Sequence, residues 1–324
     1  MRLPRSFQFQ YFPKQRLFSN LKHCIVLIFL IGVLSNQTIL CAQPLASTES
    51  FIPAANENTL SVLSWNIYML PWIVPWKGQS KRARAIVDVI AELDYDVIVI
   101  QEAFHKRSRK ILIEGLRQYY PYQIEPGKGR FLKFNSGVFI ISKIPLQLID
   151  KIKYKKCKLF FQDCRASKGA TMVELEKDKQ KFQLIATHVQ AERGEKFDNI
   201  RESQFKEITD RFILPNKKEN IPILVTGDLN TRLSTEKQYT NMLEILNAND
   251  GKLIGDFTYT YGGVLNDMTG KTVGKGKVLD YILIDANGTN IKPGERKVRI
   301  FQKKWKKGKK DLSDHYAVEA ILKF

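Results

Sequence analysis

The segment ILVTGDLN at residues 223–230 combines a buried strand with a polar end. Its run of β-branched and apolar residues, bounded by Pro222 and Gly227, is too short for a helix and predicts a strand. Because side chains alternate along a strand, Asp228 and Asn230 are expected on the same side of the chain. Their carboxylate and carboxamide could then position a water molecule or bind a phosphoryl oxygen. An Asp/Asn turn that merely ends the strand is the alternative interpretation.

The first 42 residues have the pattern of a secretory signal peptide. Five basic residues and no acid precede the apolar run CIVLIFLIGVL at 24–34, which is shorter than the ~20 residues that cross a bilayer. We expect cleavage near Ala42, with an uncleaved anchor or a lipoprotein processed at Cys41 as alternatives. Residues 43–59 are expected to form a linker and residues 60–324 one domain. The mature chain is therefore expected to be secreted, either extracellular or periplasmic.

Two cysteines remain after removal of such a signal peptide. Cys157 and Cys164 would lie in an oxidising compartment, and a disulfide that closes their short loop is expected. Two free thiols are the alternative. A metal site is disfavoured, because two cysteines without a nearby histidine cannot complete a tetrahedral shell.

The charge of the chain favours an anionic partner. The formal net charge is +19, and five of the positive charges lie in the signal peptide, which leaves +14 for the mature chain. Nucleic acid, an acidic membrane surface and a phosphorylated small molecule all fit this excess. The lysine-rich segments 151–158 and 303–310 carry much of it, although they could also be solvated loops.

Helical and strand patterns alternate along the chain and predict two packed mixed sheets with helices outside. Strands are predicted at 60–66, 96–100, 136–142, 169–176, 182–187, 221–227, 278–284 and 316–322, and helices at 79–93, 107–119, 196–214 and 236–247. Strands 136–142 and 169–176 are expected to pair antiparallel. The aromatic, proline-containing loop 67–78 is not expected to form regular structure.

Polar side chains collect at the ends of the predicted strands. Any one of them could be a turn residue, but loops at one edge of rigid sheets commonly build a catalytic site, so the set favours a function. Carboxylate and carboxamide oxygens favour Mg²⁺, Mn²⁺ or Ca²⁺ over zinc, and an imidazole suits a general base near neutral pH. The residues are Asn66, Glu102, His188, Asp228, Asn230, Asp280, Asp314 and His315.

Short motifs along the chain resemble those of the endonuclease/exonuclease/phosphatase superfamily. The aromatic loop ending in WKGQ, the KG before a strand and THVQAE are similar to those of the secreted bacterial neutral sphingomyelinases within it. The motifs occur in this order: WNIY (65–68), QE (101–102), SGVFIISKIPL (136–146), KGA (168–170), THVQAE (187–192), R-x-x-Q (201–204), GDLN (227–230), LDY (279–281) and SDHY (313–316).

The resemblance implies a four-layered α/β/β/α sandwich of the DNase I type, with 60–324 as the catalytic domain. It implies that Glu102 and Asn66 bind Mg²⁺, for which Mn²⁺ or Co²⁺ could substitute, and that Asp314 completes the metal or phosphate environment. Asp228 and Asn230 would flank the scissile phosphate. His315 would be the general base, oriented by Asp280, and His188 would contact phosphoryl oxygens.

The function implied by the resemblance is Mg²⁺-dependent hydrolysis of sphingomyelin to ceramide and phosphocholine at a membrane surface. Trp72 and Trp76 are candidates for touching lipid, although their loop could equally pack on the core. A secreted DNase with the same residues, which would make nucleic acid the partner, is the alternative enzyme. A lipid-binding or adhesion module with a vestigial site is the non-enzymatic alternative, and no obligate protein partner is indicated.

Overall fold

A computed structural model describes residues 58–71, 78–127, 134–157, 166–263, 265–269 and 276–324. The predicted signal peptide and linker, together with Trp72, Trp76 and Cys164, lie outside these ranges. No helix of the described residues has the length and apolar character needed to span a membrane.

The described secondary structure comprises four main helices and fifteen strands. The helices are α1 (Gln79–Ile90), α2 (Lys106–Leu116), α3 (Glu195–Ile208), which continues through a π-helical turn (Thr209–Ile213) and a short helical segment (Leu214–Asn216), and α4 (Glu236–Leu246). The strands are β1 (Thr59–Met69), β2 (Val97–Ala103), β3 (Tyr122–Ile124), β4 (Phe139–Ser142), β5 (Leu146–Lys153), β6 (Gly169–Lys177), β7 (Gln180–His188), β8 (Ile223–Asp228), β9 (Asn249–Asp250), β10 (Leu253–Ile254), β11 (Asp280–Asp285), β12 (Arg296–Arg299), β13 (Gln302–Lys306), β14 (Lys309–Asp311) and β15 (Ala317–Lys323).

Two mixed sheets form the centre of the fold. One has seven strands in the order β10-β12-β15-β1-β2-β4-β3, and the other has six in the order β5-β6-β7-β8-β11-β9. The pairs β1–β2 and β7–β8 are parallel, so the carboxyl ends of the two strands in each pair lie at the same edge. Strands β13 and β14 form a separate hairpin.

Apolar side chains from the alternating strands fill three layers of core. Residues such as Val62, Val99, Leu184 and Leu224 pack between the two sheets. The opposite face of the seven-stranded sheet packs on α1 and α2, and that of the six-stranded sheet packs on α3 and α4. The predicted α/β/β/α sandwich of two mixed sheets is therefore confirmed.

The predicted pairing of strands 136–142 and 169–176 is wrong. Strand β4 pairs with β2 and β3 in the first sheet, whereas β6 pairs with β5 and β7 in the second. The intervening strand β5 was not predicted, because its mostly exposed sequence LQLIDKIK lacks the apolar alternation of a buried strand. The connection from β4 to β5 therefore takes the chain from the first sheet to the second, where β5 pairs with β6.

Candidate active site

The ends of three neighbouring strands bring the first group of site residues together. His188 ends β7 and lies in parallel register with Asp228, which ends β8. Asp280 begins β11 and lies in antiparallel register with the same Asp228. Gly227 has φ 149°, and an added Cβ would lie 1.9 Å from the carbonyl oxygen of Thr187, so only glycine allows this close approach of β7 and β8.

His315 enters this group from the loop before β15. Its Nδ1 donates a hydrogen bond to Asp280 Oδ2 at 2.9 Å, and its Nε2 lies 3.8 Å from Asp228 Oδ2. The loop is held against β1, since Ser313 Oγ donates to the carbonyl oxygen of Asn66 at 2.6 Å and Trp65 Nε1 donates to that of His315 at 3.2 Å. The predicted contact of Asp280 with His315 is thus present.

The charges around His315 favour its protonated form. Burial by itself lowers the pKa of the imidazole, but Asp280 and Asp228 outweigh burial and raise the pKa to about 10. Burial, together with the charge of Asp280, raises the pKa of Asp228 to about 6. The protonation states of His315 and Asp228 are therefore linked.

A second group of carboxylates consists of Glu102, near the end of β2, and Asp314, in the loop before β15. Glu102 Oε2 is shielded from solvent and has no hydrogen-bond partner among the described residues. Burial and the neighbouring charge of Asp314 raise the pKa of Glu102 to about 7, and burial also raises the pKa of Asp314. Asn66 Nδ2 donates to Asp228 Oδ2 at 3.0 Å, while its Oδ1 accepts from the backbone N–H of Tyr68 at 3.1 Å.

Lys168 contacts His188 and, together with burial, disfavours its protonated form. The ammonium Nζ lies 2.9 Å from His188 Nε2 and also donates to the carbonyl oxygen of Val189 at 2.8 Å. Burial lowers the pKa of His188 well below its usual value, and the positive charges of Lys168 and His315 lower it further. His188 is therefore neutral at physiological pH.

Most of the predicted site residues face one cavity of about 600 Å³. Asn230, at φ 47°, and Glu102, at φ 59°, both adopt the left-handed backbone conformation that is uncommon for such residues. Asn66 and Asp280 lie behind the wall and bond to residues that line it. The residues that line the base of the cavity, together with Asp280 directly behind His315, are here called the floor; they are Glu102, His188, Asp228, Asp280, Asp314 and His315.

Several residues of the site were not assigned a role from the sequence. Lys168 was noted only within the KGA motif. Tyr261 lines the cavity with its ring centroid 4.7 Å from that of His315. Arg82 is buried in α1 and donates to the carbonyl oxygens of Ile67 and Leu312, and to that of Tyr68, which lines the cavity. No short motif distinguishes these residues, because each acts through a contact with a distant segment.

Two groups of oxygen and nitrogen ligands could hold a metal ion. Glu102 and Asp314 are carboxylates whose pKa values are raised by burial and, for Glu102, by the charge of Asp314. Separately, ligand atoms of Asp228, Asp280 and His315 lie within 4.8 Å of one another. In the second group, Asp280 already accepts a hydrogen bond from His315 Nδ1. Glu102 and Asp314 are therefore the better candidates for a cation site.

Cys157 is disulfide-bonded. Because Cys164 lies outside the described residues, the Cys157–Cys164 pairing stays a prediction. The lipid-contact role of Trp72 and Trp76 also stays a prediction, since both residues lie outside the described ranges.

Comparisons with known proteins agree with this fold. The model of the Endonuclease/Exonuclease/phosphatase family matches residues 63–315. A protein named sphingomyelinase C from Leptospira interrogans is 34% identical over 249 residues, which are 69% of this chain and 44% of that protein. A protein named phospholipase C from Staphylococcus aureus is 30% identical over 305 residues, covering 83% of this chain and 88% of that protein.

A solved structure shows the same similarity in three dimensions. The crystal structure of a mutant beta toxin from Staphylococcus aureus with bound magnesium ions has a TM-score of 0.69 and 28% identity. The match covers 81% of this chain and 98% of that one. The chain spans less than half the length of the Leptospira relatives that it matches, namely 44%, 36% and 41%.

Proposed function

Because the chain belongs to the endonuclease/exonuclease/phosphatase family, we propose that it is a phosphodiesterase that hydrolyses sphingomyelin to ceramide and phosphocholine. The observation that carries the proposal is the His315–Asp280 pair at 2.9 Å, which faces Asp228 in a cavity that Asn230 and His188 also line. The names of the relatives support the choice of lipid.

In the proposed reaction, His315 removes a proton from a water molecule that attacks phosphorus in line with the departing ceramide oxygen. Asp280 holds the imidazole by Nδ1, so that Nε2 faces the cavity. Asn230 and His188 donate hydrogen bonds to phosphoryl oxygens as negative charge develops. Neutral His188 can do so through Nδ1, which has no partner among the described residues.

We further propose that the enzyme requires Mg²⁺, held by Glu102 and Asp314 with Asn66 beside them. The fit rests on the unpartnered Glu102 Oε2 and on the raised pKa values of both carboxylates. A bound Mg²⁺ supplies charge that stabilises the phosphoryl group and the leaving alkoxide. Nearby carboxylates raise the pKa of His315 and favour its protonated form. A cation at Glu102 and Asp314 would lower that pKa, so the role of His315 as a base depends on the cation.

The alternative enzyme is a secreted DNase that uses the same residues. The net charge of +19 favours this alternative, because lysine and arginine bind phosphate backbones. Incubation of the mature chain with Mg²⁺ and either sphingomyelin, phosphatidylcholine or plasmid DNA separates the two. We expect phosphocholine release from sphingomyelin; cleavage of DNA without lipid hydrolysis would contradict the proposal.

The substrate surface is proposed to be a lipid membrane that Trp72 and Trp76 touch, since tryptophan partitions to the bilayer interface. Replacing both with alanine should reduce hydrolysis of sphingomyelin in liposomes far more than hydrolysis of a soluble phosphocholine ester. Equal losses on the two substrates would contradict this docking role while leaving the catalytic assignment intact.

Secretion and a Cys157–Cys164 disulfide are proposed for the mature chain. The charged, then apolar N-terminal sequence supports secretion, and the disulfide state of Cys157 supports the pairing. Mass measurement after alkylation without reduction should find no modified cysteine in a chain that begins near residue 42. Two alkylated cysteines would contradict the pairing, and a chain that retains residues 1–42 would contradict cleavage.

A further inference from the structure

Three cationic side chains, Arg193, Arg232 and Lys277, lie at the mouth of the active-site cavity, and we call them the rim. They come from three separate connections: the loop after β7, the loop after β8 and the segment before β11. Arg193 is exposed and the other two are half-buried. Within the described ranges, none of the three forms an ion pair with a carboxylate.

The rim cations repel one another. Burial lowers the pKa of Lys277, and the charges of Arg193 and Arg232 lower it further. Burial also lowers the pKa of Arg232, as do the charges of Arg193 and Arg201, while the charge of Asp198 opposes the change in part. Nη2 of Arg232 is shielded from solvent and has no acceptor among the described residues. Since an unsatisfied buried donor and clustered like charges both cost free energy, an anion bound here would stabilise the arrangement.

The nearby acids do not neutralise the rim. Asp198 accepts a hydrogen bond from Arg201, with which it forms an ion pair, and another from Gln238 Nε2 at 3.3 Å. Glu192 lies on the same cavity wall as Arg193, but its side chain is exposed. Since Asp198 is paired with Arg201, the three rim cations face one remaining carboxylate, Glu192, and the local charge stays positive.

A second, smaller cavity adjoins the first at this position. Its volume is about 120 Å³. Its charged lining residues are Arg193, Arg201, Arg232, Glu192 and Asp198, and Asn230, Thr235 and Gln238 also line it. No floor residue lines it. Because Asn230 and both arginines line the two cavities, an anion in the smaller one would lie next to a phosphodiester bound at the floor.

We propose that Arg193 and Arg232, supported by Lys277, form a second anion subsite that binds a phosphate group beside the scissile phosphodiester. Arginine suits this role because its planar guanidinium can donate two parallel hydrogen bonds to phosphate oxygens. Lys277 is placed toward the floor by Tyr261, whose ring centroid lies 5.2 Å from the lysine Nζ and 4.7 Å from the His315 ring centroid.

The subsite bears on the substrate class and, in that respect, rests on the proposed phosphodiesterase function. A choline headgroup carries no second phosphate, so sphingomyelin would leave this subsite open to a free anion. A headgroup that carries its own phosphate would be attracted instead. The same chemistry would also hold free inorganic phosphate, so the two sources have to be separated by experiment.

Direct binding tests the subsite without turnover. Inorganic phosphate is titrated calorimetrically into the mature chain, at constant Mg²⁺, for the wild type and for the double variant Arg193→Gln, Arg232→Gln. We expect binding to weaken by about tenfold or more, since a hydrogen bond to a charged group contributes roughly that factor. Arg84→Gln removes an exposed arginine from α1 and should leave the titration unchanged. Equal phosphate affinity in the wild type and the double variant would overturn the proposal.

Hydrolysis of two micellar substrates then identifies the source of the phosphate. One is sphingomyelin. The other has the same ceramide and the same scissile phosphodiester, but its headgroup is an inositol that carries a second phosphate group. A selective loss of activity on the second substrate in the double variant assigns the subsite to the headgroup. An unchanged ratio, together with weakened phosphate binding, assigns it to free phosphate. Absence of hydrolysis in the wild type would contradict the proposed function but not the subsite, which the titration measures by itself.

Discussion

The floor of the active-site cavity consists of side chains at the ends of strands, whereas its rim consists of cations on connecting loops. Asp228, Asp280 and His315 are nearly inaccessible to solvent, and the charges of the two aspartates raise the pKa of His315. Arg193 and Arg232 lie at the surface of the cavity and have no carboxylate partner in the described part of the chain. The difference fits the proposal that the floor performs the reaction and that the rim binds an anion beside it.

The largest effect should come from removing the general base at the floor. His315→Ala is expected to lower the rate of sphingomyelin hydrolysis by roughly 10²–10⁴-fold, the usual contribution of a general base. The matched control is His105→Ala, which removes the N-cap of α2 outside the cavity and should leave the rate nearly unchanged. If the His315 variant keeps more than about a third of the wild-type rate while its circular dichroism is native, His315 is not the base.

Loss of the Glu102 carboxylate should weaken metal binding. Glu102→Gln is expected to raise the Mg²⁺ concentration needed for half-maximal activity by about 10-fold or more, because even outer-shell changes cost 10–100-fold in metal affinity. Glu114→Gln, an exposed change on α2, serves as the control. An unchanged Mg²⁺ dependence, or wild-type activity that survives EDTA, would rule out the ligand role.

The electrostatics of the floor can be tested without turnover. In metal-free protein, Asp280→Asn removes a charge that favours the imidazolium, so the pKa of His315 should fall from about 10, by roughly 1–3 units. Titration of the histidine ring protons by NMR measures this change, with His105 as an internal control outside the cavity. A His315 pKa that does not move would show that Asp280 is not the main charge acting on it.

The smallest effect should come from the basic hairpin of β13 and β14, which lies beyond the cavity. Lys307 is exposed at its tip, and Lys307→Gln should weaken binding to anionic vesicles by about 1 kcal/mol, or roughly fivefold. Vesicle sedimentation at low salt measures the loss, which should shrink as salt is added. Hydrolysis of a soluble phosphocholine ester should be unaffected; a matching loss there would place Lys307 in the reaction rather than in docking.

The residues of the floor could be predicted from the sequence because each lies at the beginning or end of a strong strand pattern. Apolar runs such as ILVTG and DVIVI predict buried strands, and the polar residue that follows each run must lie at the end of its strand. Asp228, Glu102 and His188 were identified in this way. The layered fold followed from the same alternation of strands and helices.

The tertiary structure decided what no local pattern encodes. Strand β5 joins the second sheet through pairing with β6, so the sheet to which each strand belongs depends on long-range hydrogen bonds. Lys168 reaches His188, and Arg193, Arg232 and Lys277 meet at one rim, only because the pairing of β6, β7, β8 and β11 brings their flanking segments together. A lysine or arginine in a loop looks the same in the sequence whether it is solvated or aimed into a cavity, since its partners are distant in the chain.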